Sequence, residues 1–250
     1  MVQGKCGKPI QVCLAGIKVM LIYPNAKESG LINMAKDWLL YDKAELPSFR
    51  HYQWSSMETS FGYGQDWKWV EQITDHPVDK LIRRPTGGGI VKHGEDWTYC
   101  LVIPSVHHAF SMPPLDLYKE VHLCISSALA KQDLMTTLQP CPKEKGKIIP
   151  GDCFEEPVGW DLMNFGSSKK VAGAAMKRSR KGVLLQGTII MDKSWRLNSE
   201  KFQESLIHFI SEMLKEKIDQ VDWPDNNSSE IEKVYNQFAS LEWKKNRTRN

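Results

Sequence analysis

The sequence lacks most of the features that mark specialised classes of protein. Its six cysteines form no Cys-x-x-Cys pair, so the thiolate pattern of zinc and iron–sulfur proteins is missing and we expect no metal site. The net charge of +3 is too small to indicate a nucleic-acid-binding protein. The apolar stretch near the N-terminus is too short to span a membrane and is interrupted by Lys18, so we expect no membrane partner. Scattered cysteines without an evident signal peptide favour reduced thiols and a cytoplasmic location.

The composition is that of an ordinary globular protein. Hydrophobic residues make up 41% of the 250 residues and charged residues 25%, which allows a sizeable core without metal or disulfide staples. Apolar periodicity predicts helices at 28–43, 113–132 and 198–215, a short last helix around Phe238, strands at 18–23, 48–54, 89–92 and 97–103, and a three-stranded meander over 160–191. Because strands and helices do not alternate regularly, we expect an α+β fold, a mixed β-sheet packed with helices.

The stretch RRPTGGGIVKH, Arg83 to His93, places three consecutive glycines between basic residues. Glycines lose much backbone entropy on folding, so something must hold the run in place. Without Cβ atoms, backbone amides can approach an anionic or acyl ligand closely, although a tight turn between two strands would also use glycine. The spacing matches neither a phosphate-binding P-loop nor a dinucleotide-binding loop. The pattern alone indicates either a turn or a loop suited to an anionic or carbonyl-bearing ligand.

The same stretch resembles the Arg-Arg-x-Ser/Thr-Gly-Gly-Gly/Arg-x-Val-x-His signature of the biotin/lipoate protein ligase superfamily, in particular its lipoate-protein ligases and cysteine-type octanoyltransferases. Four further segments resemble the family's motifs in the family's order: LINMAKDWLL, FRHYQWSSMETSFGYGQ, KKVAGAAMKR and GVLLQGTIIMD. No Gly-Arg-Gly-Arg stretch of the kind that biotin ligases use is found. The resemblance, from about Met20 to Asp192, implies a catalytic domain over 18–192. A helical C-terminal extension follows over 193–250, and we expect its last residues, KKNRTRN, to be frayed.

The resemblance also implies the residues of an acyl pocket. Lys170 matches the family's lysine, whose ammonium can stabilise negative charge on a carbonyl oxygen during acyl transfer; strand alternation should turn its neighbour Lys169 away. Cys153 lies in CFEEP, which matches the Cys-Phe-x-x-Pro motif of the cysteine-type octanoyltransferases, where a thiolate carries the acyl group as a thioester. The implied pocket residues are Arg84, Gly87, Gly88, Gly89, His93 and Gly173, with Tyr63 and Gln65 at the border. Taken alone, without the resemblance, His93 is better explained as a capped or core histidine and Cys153 as an inert thiol.

Three functions remain open. The first, which CFEEP favours, is an octanoyltransferase without a cofactor: Cys153 takes an octanoyl group from acyl carrier protein and passes it to the lysine of a lipoyl domain, in a 2-oxoacid dehydrogenase or the glycine-cleavage H protein. The second is a lipoate-protein ligase that needs ATP and Mg and forms an acyl-adenylate. Gly89 is typical of the ligases, whereas the C-terminal extension is short for their accessory domain. The third is a non-catalytic binder of acylated domains.

The basic turn KRSRKG, 177–182, is either a solvated turn or a surface that steers an acidic carrier protein.

Overall fold

The computed structural model describes residues 18–141, 158–167, 169–192, 194–223 and 228–248. The strands are β1 Val19–Ile22, β2 Ala26–Glu28, β3 Ser48–Trp54, β4 Glu58–Phe61, β5 Ile82–Arg83, β6 Val91–His93, β7 Trp97–Pro104, β8 Thr136–Leu138, β9 Leu162–Asn164, β10 Lys170–Ser179, β11 Gly182–Ile189 and β12 Lys217–Gln220. The helices are α1 Gly30–Lys43, α2 Trp67–Thr74, α3 Pro114–Ala130, α4 Ser199–Leu214 and α5 Ser228–Ala239, with 3₁₀ turns at Val78–Lys80 and His108–Ser111 and a π-helix at Glu242–Asn246. Each predicted helix and strand coincides with one of these elements. No helix in the described ranges is both long and apolar enough to cross a bilayer.

The fold centres on one large mixed sheet. Its strand order is β12-β1-β3-β7-β11-β10-β9-β8, and β2 pairs with the second half of β3. β1 runs parallel to β12 and to β3, while every neighbouring pair from β3 to β8 is antiparallel. A smaller sheet, β5-β4-β6, leads the chain into and out of the glycine loop. This arrangement, with helices on the sheet, confirms the α+β class.

Helices cover both faces of the large sheet, and the central strand β7 shows why. All eight of its residues are buried. The side chains that share a core with α3 and α4 are Trp97, Tyr99, Leu101 and Ile103. Those that share a core with α1 and α5 include Cys100 and Val102. A strand that is buried on both faces has a nearly continuous apolar sequence, as WTYCLVIP shows. Each fully buried Leu, Ile or Val stabilises the folded state by about 1.5–3 kcal/mol.

The C-terminal segment differs from the expectation of a frayed tail. Trp243 is fully buried, and its indole Nε1 donates a 2.9 Å hydrogen bond to the carbonyl of Arg83. Lys244 is also buried, and its ammonium donates to the carbonyl of Asp79 at 2.8 Å. Burial lowers the pKa of Lys244. The expectation was wrong for residues 244–248, because Trp243 anchors the π-helix in the core and the apolar stem of Lys244 follows it inside.

Strand β12 is not among the predicted elements. Its residues, KIDQ, are all exposed, so they show no alternation between an apolar and a polar face. The strand is held by its parallel register with β1, in which Val19 pairs with Lys217 and Ile22 with Gln220. Backbone hydrogen bonds at the edge of a sheet need no particular side chain, and the sequence therefore carries little signal for it.

Candidate active site

A cavity of about 280 Å³ opens between β10, β11 and the glycine loop. It lies near the lower end of the about 300–1,000 Å³ that small-molecule sites occupy. Its apolar walls include Met34, Tyr52, Trp54, Val91 and Met176. The predicted site residues that line it are Arg84, Gly87, Gly88, His93, Lys170 and Gly173. The fold therefore brings the glycine stretch and the lysine motif to one cavity that has the apolar surface an acyl chain requires.

Arg84 holds the glycine loop in shape. Its guanidinium donates to the carbonyl oxygens of Gly87, at 3.0 Å, and Gly89, at 2.7 Å. Gly88 has a φ of 84°, a conformation that favours glycine. A Cβ on Gly62 would lie 2.0 Å from the carbonyl oxygen of Gly88, so the loop after β4 can pack this closely only as glycine. These contacts fix the shape of the glycine run.

Lys170, at the start of β10, is a buried ammonium with a fixed partner. Its side chain is 5% exposed, and Nζ lies 2.7 Å from Oδ2 of Asp161, whose side chain is fully buried. Asp161 also accepts hydrogen bonds from the Tyr118 hydroxyl and, at 2.7 Å, from the amide of Val158. Charge-assisted bonds of this kind are among the strongest in proteins. They fix the carboxylate, and through it the ammonium, at the wall of the cavity.

Gly173 makes room for that ammonium. A Cβ at position 173 would lie 2.5 Å from Cε and 2.7 Å from Nζ of Lys170, so any other residue would displace the lysine. Lys169 is exposed, as strand alternation predicts. The packing explains the motif Lys-Val-Ala-Gly: it contains the lysine and the glycine over which its side chain passes.

His93, at the end of β6, is a neutral histidine held on three sides. Its ring stacks on Trp54 with centroids 3.8 Å apart, Nδ1 lies 2.7 Å from Oδ2 of Asp96, and Nε2 lies 2.7 Å from Ser60 Oγ. Burial lowers the pKa of His93 by more than the hydrogen bond and charge of Asp96 raise it. A carboxylate only accepts hydrogen bonds, so Nδ1 carries the proton and Nε2 accepts from the Ser60 hydroxyl. Ser60 Oγ in turn accepts from Arg84 at 2.6 Å.

Asp96 is the ionised end of this chain of hydrogen bonds. Burial raises its pKa, but bonds from His93, Thr188 and the Gly94 amide lower the pKa to about 2. With Asp96 ionised on one side and Ser60 donating on the other, both ring nitrogens of His93 are engaged. Through Ser60, His93 is linked to Arg84 and so to the glycine loop.

A second buried network joins the loop to α1 and the sheet. Thr86 Oγ1 donates to Oε1 of Gln186, and Nε2 of Gln186 donates to Oδ2 of Asp37, both at 2.7 Å. Arg50 Nη1 donates to the other oxygen of Asp37 at 2.9 Å, and neither of these charged side chains is exposed. Breaking a buried ion pair is strongly destabilising because one charge is left uncompensated. This network therefore gives the cavity a rigid back wall.

Three of the predicted residues lie outside the cavity wall. The described residues that line the cavity do not include Tyr63, Gln65 or Gly89. Gln65 is buried, and its side-chain carbonyl accepts from the amide of Gly62 at 2.8 Å. Tyr63 packs on Trp243 with ring centroids 5.8 Å apart. These residues shape the loops around the cavity from behind.

Cys153, with the rest of CFEEP, lies outside the described residues, and its role stays a prediction. Of the described cysteines, Cys100 and Cys124 are buried. Burial raises the pKa of both thiols, that of Cys124 to about 12. A thiol that stays protonated is a poor nucleophile, so neither is suited to carry an acyl group. Cys141 is exposed.

The cavity contains residues that the sequence motifs did not single out. Asp161 pairs with the ammonium of Lys170 and accepts from the Tyr118 hydroxyl, and Tyr118, Trp54 and Gln186 line the cavity. For Trp54 a signal was present, because the residue belongs to the Arg-x-Tyr-x-Trp part of the resemblance. Asp161 precedes β9, and the pairing of β9 with β10 brings it to the lysine. The predicted meander includes this pairing but does not give its register, so it does not identify Asp161.

Comparison with known proteins gives a consistent result. A family model described as the lipoyl protein ligase A/B catalytic domain matches residues 35–244. The octanoyltransferase LipM of Brevibacillus brevis is 31% identical over 204 residues, which cover 76% of this chain and 70% of that protein.

Solved structures share the fold. The T. acidophilum protein Ta0514 with bound lipoic acid superposes with a TM-score of 0.71 at 17% identity, covering 92% of this chain and 99% of that one. A lipoate-protein ligase A bound with ATP superposes with a TM-score of 0.69 at 16% identity, covering 91% and 98%. At these identities the likeness shows the fold alone.

Proposed function

The chain belongs to the family of lipoyl protein ligase A/B catalytic domains, and we propose that it transfers an octanoyl group to the lysine of a lipoyl domain. The observation that carries the proposal is the Lys170–Asp161 pair at the wall of an otherwise largely apolar cavity. The apolar walls suit a saturated acyl chain, and the ammonium suits its carbonyl. The identity to an octanoyltransferase supports the choice of acyl group.

The proposed reaction has two steps that balance without a cofactor. The Cys153 thiolate attacks the carbonyl carbon of the octanoyl thioester on acyl carrier protein. A new C–S bond forms, the carrier's C–S bond breaks, and the carrier leaves as a thiolate that takes a proton from water. The neutral amine of the lipoyl-domain lysine then attacks the enzyme thioester, an amide bond forms, the C–S bond to Cys153 breaks, Cys153 leaves as thiolate, and the proton that the amine loses goes to water.

Lys170 is proposed to act in both steps. Each passes through a tetrahedral intermediate with negative charge on the former carbonyl oxygen, and a fixed cation that already faces this position needs no reorganisation when the charge develops. Asp161 holds the ammonium in place. The hydroxyl of Tyr118 donates to Asp161 and accepts from the Ala174 amide at 3.0 Å. These two bonds fix Asp161 against β10.

The alternative is an ATP-dependent ligase, and Gly89 is the observation that favours it. Arg84 and Lys170 both line the cavity, Arg84 bound to the loop carbonyls and Lys170 to Asp161, and Lys170 is the one that the family's lysine motif would assign to a phosphate group. When bound, ATP with Mg would supply an activated acyl group. The lysine would then serve the same charge-stabilising role, and Cys153 would not be required.

The partners would be an acyl carrier protein and a lipoyl domain. The predicted basic turn at 177–182 is shorter in the structure, because β10 continues to Ser179 and β11 begins at Gly182. Its cations are partly engaged within the protein: Arg178 donates to the carbonyls of Phe110 and Met112, and Lys181 pairs with Asp42. Lys177 lies over the ring of Tyr63. Steering of an acidic carrier by this surface, and a cytoplasmic location, remain predictions from the sequence.

Intact-mass analysis tests the proposal directly. The chain is mixed with octanoyl-carrier protein without nucleotide, and we expect the gain of one octanoyl group that hydroxylamine removes. Cys153→Ser should abolish the adduct and the transfer to a lipoyl domain, while Cys141→Ser, which changes an exposed cysteine, should retain both.

The ligase predicts the opposite pattern. Free octanoate or lipoate would react only with ATP and Mg, pyrophosphate would be released, and Cys153→Ser would keep full activity. That result would overturn the proposal of a transferase, while the assignment to the family and the proposal of an acyl pocket would stand.

A further inference from the structure

A second group of reactive side chains lies outside the cavity. His107 and His108 follow β7, and Glu216 stands between α4 and β12. Each offers one ligand atom, and these atoms lie within 4.8 Å of one another. None of the three residues lines the cavity. The cluster is therefore a separate group of side chains from those of the proposed acyl pocket.

Glu216 is the unusual member of the group. Its side chain and that of His107 are both 8% exposed, and Nε2 of His107 lies 3.0 Å from Oε1 of Glu216. The second carboxylate oxygen, Oε2, is buried and has no hydrogen-bond partner among the described residues. Leaving a charged oxygen buried and unsatisfied is costly. A bound cation would remove that cost.

We propose that His107, His108 and Glu216 form a binding site for a divalent metal ion of the zinc class. Two imidazoles and one carboxylate, with a water in the fourth position, are a ligand set that Zn²⁺ accepts in tetrahedral geometry. Metal–ligand distances of about 2.0–2.1 Å place tetrahedral ligands about 3.3 Å apart. The 3.0 Å between His107 and Glu216 is close to that spacing, and the exposed side chain of His108 can close the remaining distance.

The hydrogen bonds of His107 describe the metal-free state. Its Nδ1 accepts from the amide of Ala109 at 3.2 Å, so Nε2 carries the ring proton and donates it to Glu216. A metal ion takes the place of that proton between the two residues. The ring proton then moves to Nδ1, and the long bond from Ala109 is given up in exchange for three ligand bonds.

The place of the site indicates a structural role. The two histidines belong to the turn that ends β7 in the middle of the sheet, and Glu216 immediately precedes β12, the strand at its edge. Because β12 has only exposed side chains, its attachment depends on backbone pairing with β1. A metal ion here would fasten the edge strand to the centre of the sheet.

The test uses the full chain without an affinity tag, freed of metal by chelation. Zn²⁺ alone is titrated against a chromophoric competitor, and Co²⁺ is used as a spectroscopic probe. We expect one ion per chain, Co²⁺ ligand-field bands without thiolate charge-transfer absorption, and a higher thermal midpoint with zinc. His108→Ala and Glu216→Gln should each weaken zinc binding by more than the about 10- to 100-fold that loss of a ligand's supporting partner causes.

The matched control is His208→Ala, because His208 faces Glu212 at 3.6 Å in an exposed pair on α4. This variant should bind zinc as the parent does. His108 is exposed, so its substitution tests the site without disturbing the core. Unchanged affinity in His108→Ala and Glu216→Gln, thiolate bands in the cobalt spectrum, or no stoichiometric binding would each overturn the proposal.

Discussion

The Nζ of Lys170 and the Oδ2 of Asp161 lie 2.7 Å apart, with side chains 5% and 0% exposed. Each charge is out of water and depends on the other for compensation. Any substitution at one residue therefore changes stability as well as activity, and the two effects must be measured separately.

We predict that Lys170→Ala lowers the rate of acyl transfer about 100- to 1,000-fold, the typical effect of removing one preorganised electrostatic donor. It should also destabilise the protein by about 3–5 kcal/mol, because Asp161 is left buried and uncompensated. Single-turnover transfer and urea unfolding measure the two effects. Lys170→Met combined with Asp161→Asn should regain most of the stability and none of the activity. Lys169→Ala is the control, and a Lys170→Ala rate within threefold of the parent would assign the role elsewhere.

Gly173→Ala should reduce acyl transfer while the chain remains folded. The added Cβ would lie 2.5 Å from Cε of Lys170, so the ammonium must leave its position at the cavity wall. Gly166→Ala is the matched control, because Gly166 lies in an exposed turn and its nearest Cβ neighbour would be 3.6 Å away. Transfer rates and circular dichroism distinguish a moved lysine from a lost fold. Equal rates in the two variants would contradict this account of the motif.

Acid should weaken the fold partly through His122. Burial lowers its pKa to about 4, against a hydrogen bond to the Tyr118 carbonyl that raises it. Between pH 6.5 and 4 the His122 imidazole binds a proton in the unfolded chain but stays neutral in the folded chain. The free energy of unfolding therefore falls as pH falls through this window and is fully restored above pH 6.5.

His122→Leu should remove that slope. Its Nε2 has no hydrogen-bond partner among the described residues. Leucine removes the bond of Nδ1 to the Tyr118 carbonyl, but that carbonyl lies within α3 and keeps the helical bond from the backbone amide four residues on. Relative to the parent, the variant should gain about 2 kcal/mol between pH 7 and pH 5, from about 1.4 kcal/mol per pH unit. Urea unfolding at the two pH values measures this gain, with the exposed His208→Gln as control. A parallel shift at both pH values would mean that His122 does not titrate in this window.

Trp243→Ala should destabilise the protein by about 3–5 kcal/mol, the usual effect of emptying a buried tryptophan site. It should also raise the KM for the acyl donor, because Trp243 donates to the carbonyl of Arg83 and packs on Tyr63 behind the glycine loop. Thermal unfolding and steady-state kinetics test the two effects. Leu241→Ala, at a residue 49% exposed, should change neither. An unchanged KM in Trp243→Ala would show that the π-helix supports the core only.

The elements with a strong local pattern were all predictable. α1, α3 and α4 follow from helical spacing of apolar residues, and β7 follows from an uninterrupted apolar run, because burial on one or two faces leaves a periodic mark on the sequence. The glycine loop and Lys170 were also predicted as parts of one pocket, since each belongs to a short contiguous motif that matches the family. Both conformations require glycine at a fixed position: Gly88 has a positive φ, and the side chain of Lys170 passes over Gly173.

What depends on distant parts of the chain was decided by the tertiary structure alone. β12 exists only because the edge of β1 accepts its backbone. The cysteine pattern gave no metal site, yet folding sets His107 beside Glu216. The sequence by itself determined which side chains carry charge, which are apolar enough to be buried, and where glycine allows an unusual backbone conformation. Which of them meet was determined by strand pairing and helix packing, because a contact between remote residues leaves no periodic or local trace in the chain.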